Sequence, residues 1–183
     1  IAVASSKRAT AQRLAARDVL TPLALADDPS TRRWVTKPDD GAGSADTQLH
    51  ADLSAARDHA GPSRVIEPWV EGDAMSVSLL CKPGHFELLS VNRQQIAVDD
   101  RGRVAFKGVA IDREASRDGA FERVARDVVA AIPGLHGFVG IDLVRHAARG
   151  PVVIEVNPRL TCAYVGLSAA LGGQSLTDLI VEH

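Results

Sequence analysis

Phe121, Val124, Ala125, Val128, Val129 and Ile132 recur at steps of three, one, three, one and three. That spacing sets them on one face of an amphipathic helix. Most of the remaining pattern has a period of two. "RRWVTKP" predicts a strand that ends at Pro38, and "RVIEPWVEG" reads as a strand or an extended connector. "AMSVSLLC", "FELLSVN", "QQIAVD" and "RVAFKGVAI" predict an antiparallel run with a turn at Asp100-Arg101-Gly102. "GFVGIDLV" and "PVVIEVN" predict a further hairpin. In its second strand Val152, Ile154 and Val156 alternate toward a core, while Glu155 and Asn157 share the other face. Further helices are expected over 6–16, capped by Ser5 or Ser6, over 47–60 ahead of Gly61-Pro62, and in "VGLSAALG" and "LTDLIVE". The order of helices and strand runs predicts an α+β architecture built on antiparallel sheets with flanking helices.

Composition narrows the function classes. The 183 residues are 45% hydrophobic and 24% charged, enough to bury a core without disulfides and suited to one domain or two small lobes. A net charge of -2 gives no nucleic-acid footprint and no polybasic membrane anchor. No apolar run reaches the length of a transmembrane span. Cys81 and Cys162 are far apart and the six histidines are dispersed, so neither type offers a metal spacing, and a reducing cytoplasm is the expected setting. The opening "IAVASSKRA" reads like an interior strand entering a helix, which suggests part of a longer protein.

The predicted hairpin carries the first chemistry. With its turn centred on Ala148-Arg149, Asp142 and Glu155 stand opposite each other. Opposed carboxylates lie roughly 5 Å apart at Cβ and repel. A divalent cation would remove that repulsion, and two carboxylates with the Asn157 amide make an oxygen set suited to Mg²⁺. A polar face left to water accounts for the same pattern, so the hairpin alone leaves both readings open. In "TKPDDGAGS", Gly41 and Gly43 let backbone amides converge on an anion, and Lys37 enters the loop from a strand. Asp39 and Asp40 suit a phosphate cradle only if their side chains turn away. The extended "EPWV" presents backbone groups along an edge, beside which Trp69 could border a ring.

Taken in order, Lys7, "KPDDGAGS", "EPWVEGD", Asp142 and "EVNPR" resemble the ATP-grasp superfamily of carboxylate–amine ligases, over nearly the whole chain. The resemblance implies two lobes gripping ATP, here a small lobe over 1–70 and a large lobe over 71–183, with a preceding α/β domain lying outside this sequence. Lys7 and Lys37 would contact phosphates, and Gly41, Gly43 and Ser44 would belong to the loop covering them. Glu67, Pro68, Trp69 and Val70 would hold the adenine. The acid expected at the ribose falls on Ala74, leaving Asp73 as its neighbour. Asp142, Glu155 and Asn157 would hold Mg²⁺, and Arg159 would stabilise the transferring phosphoryl group. Some relatives carry an arginine where this chain has Gly140.

"EGDAMSVSLL", "SVNRQQI" and "EVNPRLTCAYVGL" look most like the branch containing tyramine–L-glutamate ligase of methanofuran-type cofactor synthesis. In that branch Asn92, Arg93 and Gln94, with Thr161 and Tyr164, would lie toward the substrates. The implied reaction is ATP- and Mg²⁺-dependent amide formation through an acyl phosphate, joining a small carboxylate such as glutamate to an aromatic amine such as tyramine. A carboxylase or purine-pathway type of ATP-grasp enzyme, a non-catalytic ATP-binding module and a purely structural domain are the alternatives. A homodimer is left open.

Overall fold

A computed structural model of the chain describes residues 3–41, 44–112, 118–170, 172, 173 and 178. β1 (Trp34–Pro38), β2 (Gln48–His50) and β3 (Arg64–Pro68) form a three-stranded antiparallel sheet in the order β2-β1-β3. β4 (Asp73–Lys82), β5 (His85–Val98), β6 (Val104–Asp112), β7 (Gly137–His146) and β8 (Gly150–Asn157) form a five-stranded antiparallel sheet in the order β6-β5-β4-β7-β8. The described helices are α1 (Lys7–Ala15), α2 (Leu53–Asp58), α3 (Ala120–Ala131) and α4 (Ala163–Ala170). None is long and apolar enough to cross a membrane.

The predicted amphipathic helix is α3. Its Phe121, Ala125 and Val128 pack into the main core with Val77, Leu79, Val139 and Ile141 from one face of the large sheet. The opposite face meets α4, where Leu167 joins Leu80, Leu89 and Phe138. Adjacent Leu79 and Leu80 are both fully buried because a strand turns successive side chains to opposite faces and both faces are covered here. Each such leucine contributes on the order of 1.5–3 kcal/mol.

Two local outcomes differ from the sequence pattern, and one expected helix lies largely outside the described residues. The helix expected over 47–60 is a short strand followed by a short helix. Gln48–His50 pairs with β1, Leu49 N–H donates to Gly102 O at 2.8 Å, and the buried His50 ring meets Thr36 Oγ1 at 3.0 Å. Asp52 then caps α2 by accepting from Ala55 N–H at 2.9 Å, so helix begins only there. The segment 176–182 lies outside the described residues apart from Asp178.

The second difference sets the site. Near the turn, His146 pairs with Gly150 and Leu143 with Val153, a register that would bring Asp142 opposite Ile154. The register shifts between Asp142 and Leu143, so Asp142 pairs with Glu155 instead. One extra residue in β8 is a β-bulge, and it changes which side chains share a face. Val153 and Val156 both enter the main core, whereas Val152 and Ile154 pack on the other side with Leu25, Val70 and Val144. The expected alternation of Val152, Ile154 and Val156 on one core face therefore breaks at the bulge.

Gly72 joins the two sheets with φ +145°, and a Cβ added there would lie 2.3 Å from Arg145 O. Gly72→Ala is expected to cost about 1–3 kcal/mol, from left-handed backbone and backbone collision together. Urea unfolding reads this directly; an unchanged midpoint would mean that the connector relaxes freely.

Candidate functional site

A cavity of about 650 Å³ opens between the three-stranded sheet and the face of the large sheet that carries Asp142. Its wall on the small-sheet side is a β1–β3 pair. Val35 lies opposite Glu67 and Lys37 opposite Val65, so these four side chains share one face. Lys37 Nζ reaches Glu67 Oε2 at 2.7 Å, with the two side chains only 8% and 4% exposed. A cation and an anion this buried tolerate the position only because each neutralises the other.

α1 brings in the second lysine. Ser6 caps the helix, accepting from Ala9 N–H at 3.0 Å. Lys7 then donates to Gly41 O at 3.1 Å and lies 3.4 Å from Glu155 Oε1. Asp39 turns away from the cavity: it accepts from Arg8 N–H at 2.9 Å and from Ser6 Oγ. The Arg8 amide is the chief reason that its carboxyl lies below the usual range. The glycine-bearing loop thus loses one of its two acids to a helix terminus. Gly41 stands at φ +107° and Ser44 lines the cavity, while Gly43 lies outside the described residues.

On the large sheet, Asp142 Oδ1 accepts from Gln94 Nε2 at 2.7 Å and Oδ2 accepts from Asn157 Nδ2 at 3.0 Å. Arg159 completes the chain by donating to Asn157 Oδ1 at 3.0 Å. Desolvation, and then the facing Glu155 carboxylate, push the Asp142 carboxyl up to about 6, against the two amide donors and the Arg159 charge. Among the described residues no three His, Cys, Asp or Glu side chains converge as a complete metal cage. Two facing carboxylates opening onto a cavity, one of them 3.4 Å from Lys7 Nζ, instead fit a hard cation that takes its remaining oxygens from water and a bound phosphate.

Val70, Val144 and Ile154 form an apolar patch of the wall. Pro68 and Trp69 border it, and Trp69 N–H donates to Arg33 O at 2.9 Å while the Arg33 guanidinium lies 5.8 Å from the Trp69 ring centre. The bulge brings Ile154 here, which strict alternation could not have foretold.

The remaining predicted residues are placed less centrally. Asp73 and Arg93 border the cavity, but their side chains meet each other at 3.9 Å, and Arg145 holds Asp73 at 2.5 Å. That Arg145 hydrogen bond is the main cause of a lowered Asp73 carboxyl. Asn92 is fully buried, donating to Ser76 Oγ and Ser78 Oγ at 3.3 and 3.2 Å. Tyr164 packs edge-on against Phe138, ring centres 6.0 Å apart, in the apolar cluster beneath α4. At Gly140 an added Cβ would lie 2.5 Å from Thr161 Cγ2, so a longer side chain at 140 would require Thr161 to move.

A family model described as an ATP-grasp domain matches residues 4–163. Two curated relatives named tyramine–L-glutamate ligase, from Methanocaldococcus fervens and Methanocaldococcus jannaschii, are 34% and 33% identical over 119 residues. Those matches cover 65% of this chain but 37% and 35% of theirs, so the matched region spans little more than a third of the relatives' length. An L-amino acid ligase structure from Bacillus licheniformis resembles this fold with a TM-score of 0.74 at 19% identity, covering 98% of this chain and 47% of that one.

Proposed function

The chain belongs to the ATP-grasp family, and from that premise we propose that it supplies the ATP- and Mg²⁺-binding part of a carboxylate–amine ligase working through an acyl phosphate. The observation that carries this is the Asp142–Glu155 pair, opposed across β7 and β8 on the wall of a cavity whose other wall holds Lys37. Similarity to the tyramine–L-glutamate ligases favours glutamate as the acid and an aromatic amine such as tyramine as the acceptor. Residues 1–70 and 71–183 are the two lobes in this proposal, meeting at the connector that contains Gly72. A reaction that consumes ATP suits the cytoplasm.

In the proposed mechanism the apolar patch of Val70, Val144 and Ile154 packs against the adenine, with Glu67 to Val70 along its edge. Lys7 and Lys37 draw the phosphates toward the loop of Gly41, Gly43 and Ser44. Asp142, Glu155 and Asn157 would hold Mg²⁺, which would supply charge to neutralise the phosphates. A substrate carboxylate oxygen attacks the γ-phosphorus, the bond to the bridging oxygen breaks, and ADP leaves. Arg159, linked to Asp142 through the Asn157 amide, meets the charge that spreads over the transferring phosphoryl oxygens. The amine nitrogen then attacks the acyl carbon, loses a proton, and inorganic phosphate departs. Asp73 and Arg93, which line the cavity, would meet ribose and substrate, whereas Asn92 and Tyr164 do not line it and would act only through the residues in front of them.

Calorimetric titration of the chain with a non-hydrolysable ATP analogue, with and without Mg²⁺, tests the core of this. Binding should strengthen at least about tenfold with Mg²⁺; equal affinity in both buffers would overturn the metal assignment. Phosphate release that needs glutamate and tyramine together would support the substrate pair, and release with bicarbonate alone would replace it by a carboxylase.

A further inference from the structure

Gln94 sits on β5, yet its partner Asp142 sits on β7, with β4 between them. Adjacent strands lie about 4.8 Å apart, so the two backbones are separated by roughly 10 Å. The gap closes because the residue between them is small. Ser76 pairs with Asp142 on one side and with Asn92, two residues from Gln94, on the other, so the small side chains of Ser76 and Ala74 on that face leave a corridor for Gln94 across β4. Only a long side chain with a terminal donor spans that corridor. Gln94 ends 2.7 Å from Asp142 Oδ1.

We infer that Gln94 is a positioning residue for the metal site, holding the Asp142 carboxylate in its ligating orientation rather than contacting the acid or amine. Asp142 has one amide donor on each oxygen, Gln94 from the sheet interior and Asn157 from β8. Each carboxylate oxygen has two lone-pair directions, so one donor per oxygen fixes the plane of the group and leaves the other directions for a cation. Asn157 alone does not fix that plane, because a single donor on Oδ2 leaves the carboxylate free to turn about that contact. Outer-shell hydrogen bonds of this kind orient the ligands and set metal affinity. The inference rests on the proposed Mg²⁺ site.

Mn²⁺, which reports free and bound populations by electron paramagnetic resonance, is the probe. It is titrated into the full chain with a non-hydrolysable ATP analogue present, for wild type, Gln94→Leu and Gln94→Asn. Gln94→Asn keeps the amide but is one methylene too short for the corridor. Both variants should bind Mn²⁺ roughly 10–100-fold more weakly, while analogue affinity in metal-free buffer stays within about twofold of wild type. A third variant, Ser76→Leu, should weaken Mn²⁺ binding similarly by filling the corridor with Gln94 left in place. Melting curves of the three variants identify any loss due to unfolding, and the Asn form preserves polarity should the Leu form not fold. Wild-type Mn²⁺ affinity in a folded Gln94→Asn would overturn the positioning role alone. No Mn²⁺ binding by wild type would overturn the metal site itself, and the role of Gln94 with it.

Discussion

Asp142→Asn is expected to make the metal-free protein more stable and at the same time to abolish the effect of Mg²⁺ on nucleotide binding. The two halves have one cause. The folded state raises the Asp142 carboxyl from its ordinary 3.8 to about 6, through desolvation and the facing Glu155. A group whose folded pKa is raised favours folding below its unfolded pKa and loses that contribution as pH climbs through the folded value. The wild-type metal-free protein should therefore lose stability between about pH 4 and pH 7. An asparagine mimics the protonated acid at every pH, so the variant should escape that loss.

The gain should be on the order of 1–3 kcal/mol at about pH 7.5 and near zero at about pH 4. The hydrogen bonds survive the substitution. The new amide keeps a carbonyl oxygen that accepts from Asn157 Nδ2, and a flipped Gln94 amide accepts from its NH₂. Urea unfolding in chelator at the two pH values reads the stability difference. Loss of the ligand should weaken metal binding by more than the roughly 100-fold ceiling of an outer-shell change. A variant with wild-type stability at both pH values would mean that burial and Glu155 do not raise the Asp142 carboxyl. Retained Mg²⁺ dependence would remove Asp142 from the metal site.

The opposition of Asp142 and Glu155 is legible in the sequence, but through cancelling assumptions. A turn centred on Ala148-Arg149 gives that pairing by simple symmetry. The actual turn is centred on Ala148, half a residue earlier, and the bulge in β8 restores the Asp142–Glu155 pairing. Periodicity reports side-chain alternation and is blind to an inserted residue, which is why Ile154 reads as core and Val153 does not. The helix pattern of α3 is fully legible because six apolar positions agree on one face. Residues 47–60 mislead because they are largely polar, and only the hydrogen bonds to β1 and Gly102 make three of them a strand. Gln94 is visible in the sequence as a polar residue near the site. Its partner is not, since that contact depends on strand order β5-β4-β7 and on which β4 residues lie between the two side chains, neither of which a linear pattern encodes.

The Lys37–Glu67 pair yields the other large effect. Glu67→Leu and Lys37→Met should each reduce the unfolding free energy by about 3–5 kcal/mol, since each leaves one charge buried without its partner. The exposures of 8% and 4% leave little room for water to substitute. The double variant should be more stable than either single one, because Met and Leu can pack beside Val35 and Val65 on the same face of β1 and β3. A double variant as unstable as the sum of the singles would mean that the pair is not what holds these side chains. Nucleotide supplies the functional reading of the same cycle. If a phosphate binds Lys37, it provides Glu67→Leu with a replacement anion, so a saturating ATP analogue should raise that variant's melting temperature more than wild type's. Equal shifts would place the phosphates elsewhere. Buried ion pairs of this sort gain little over an apolar pair in stability; retaining one here makes sense if Glu67 holds Lys37 aimed into the cavity until a phosphate arrives.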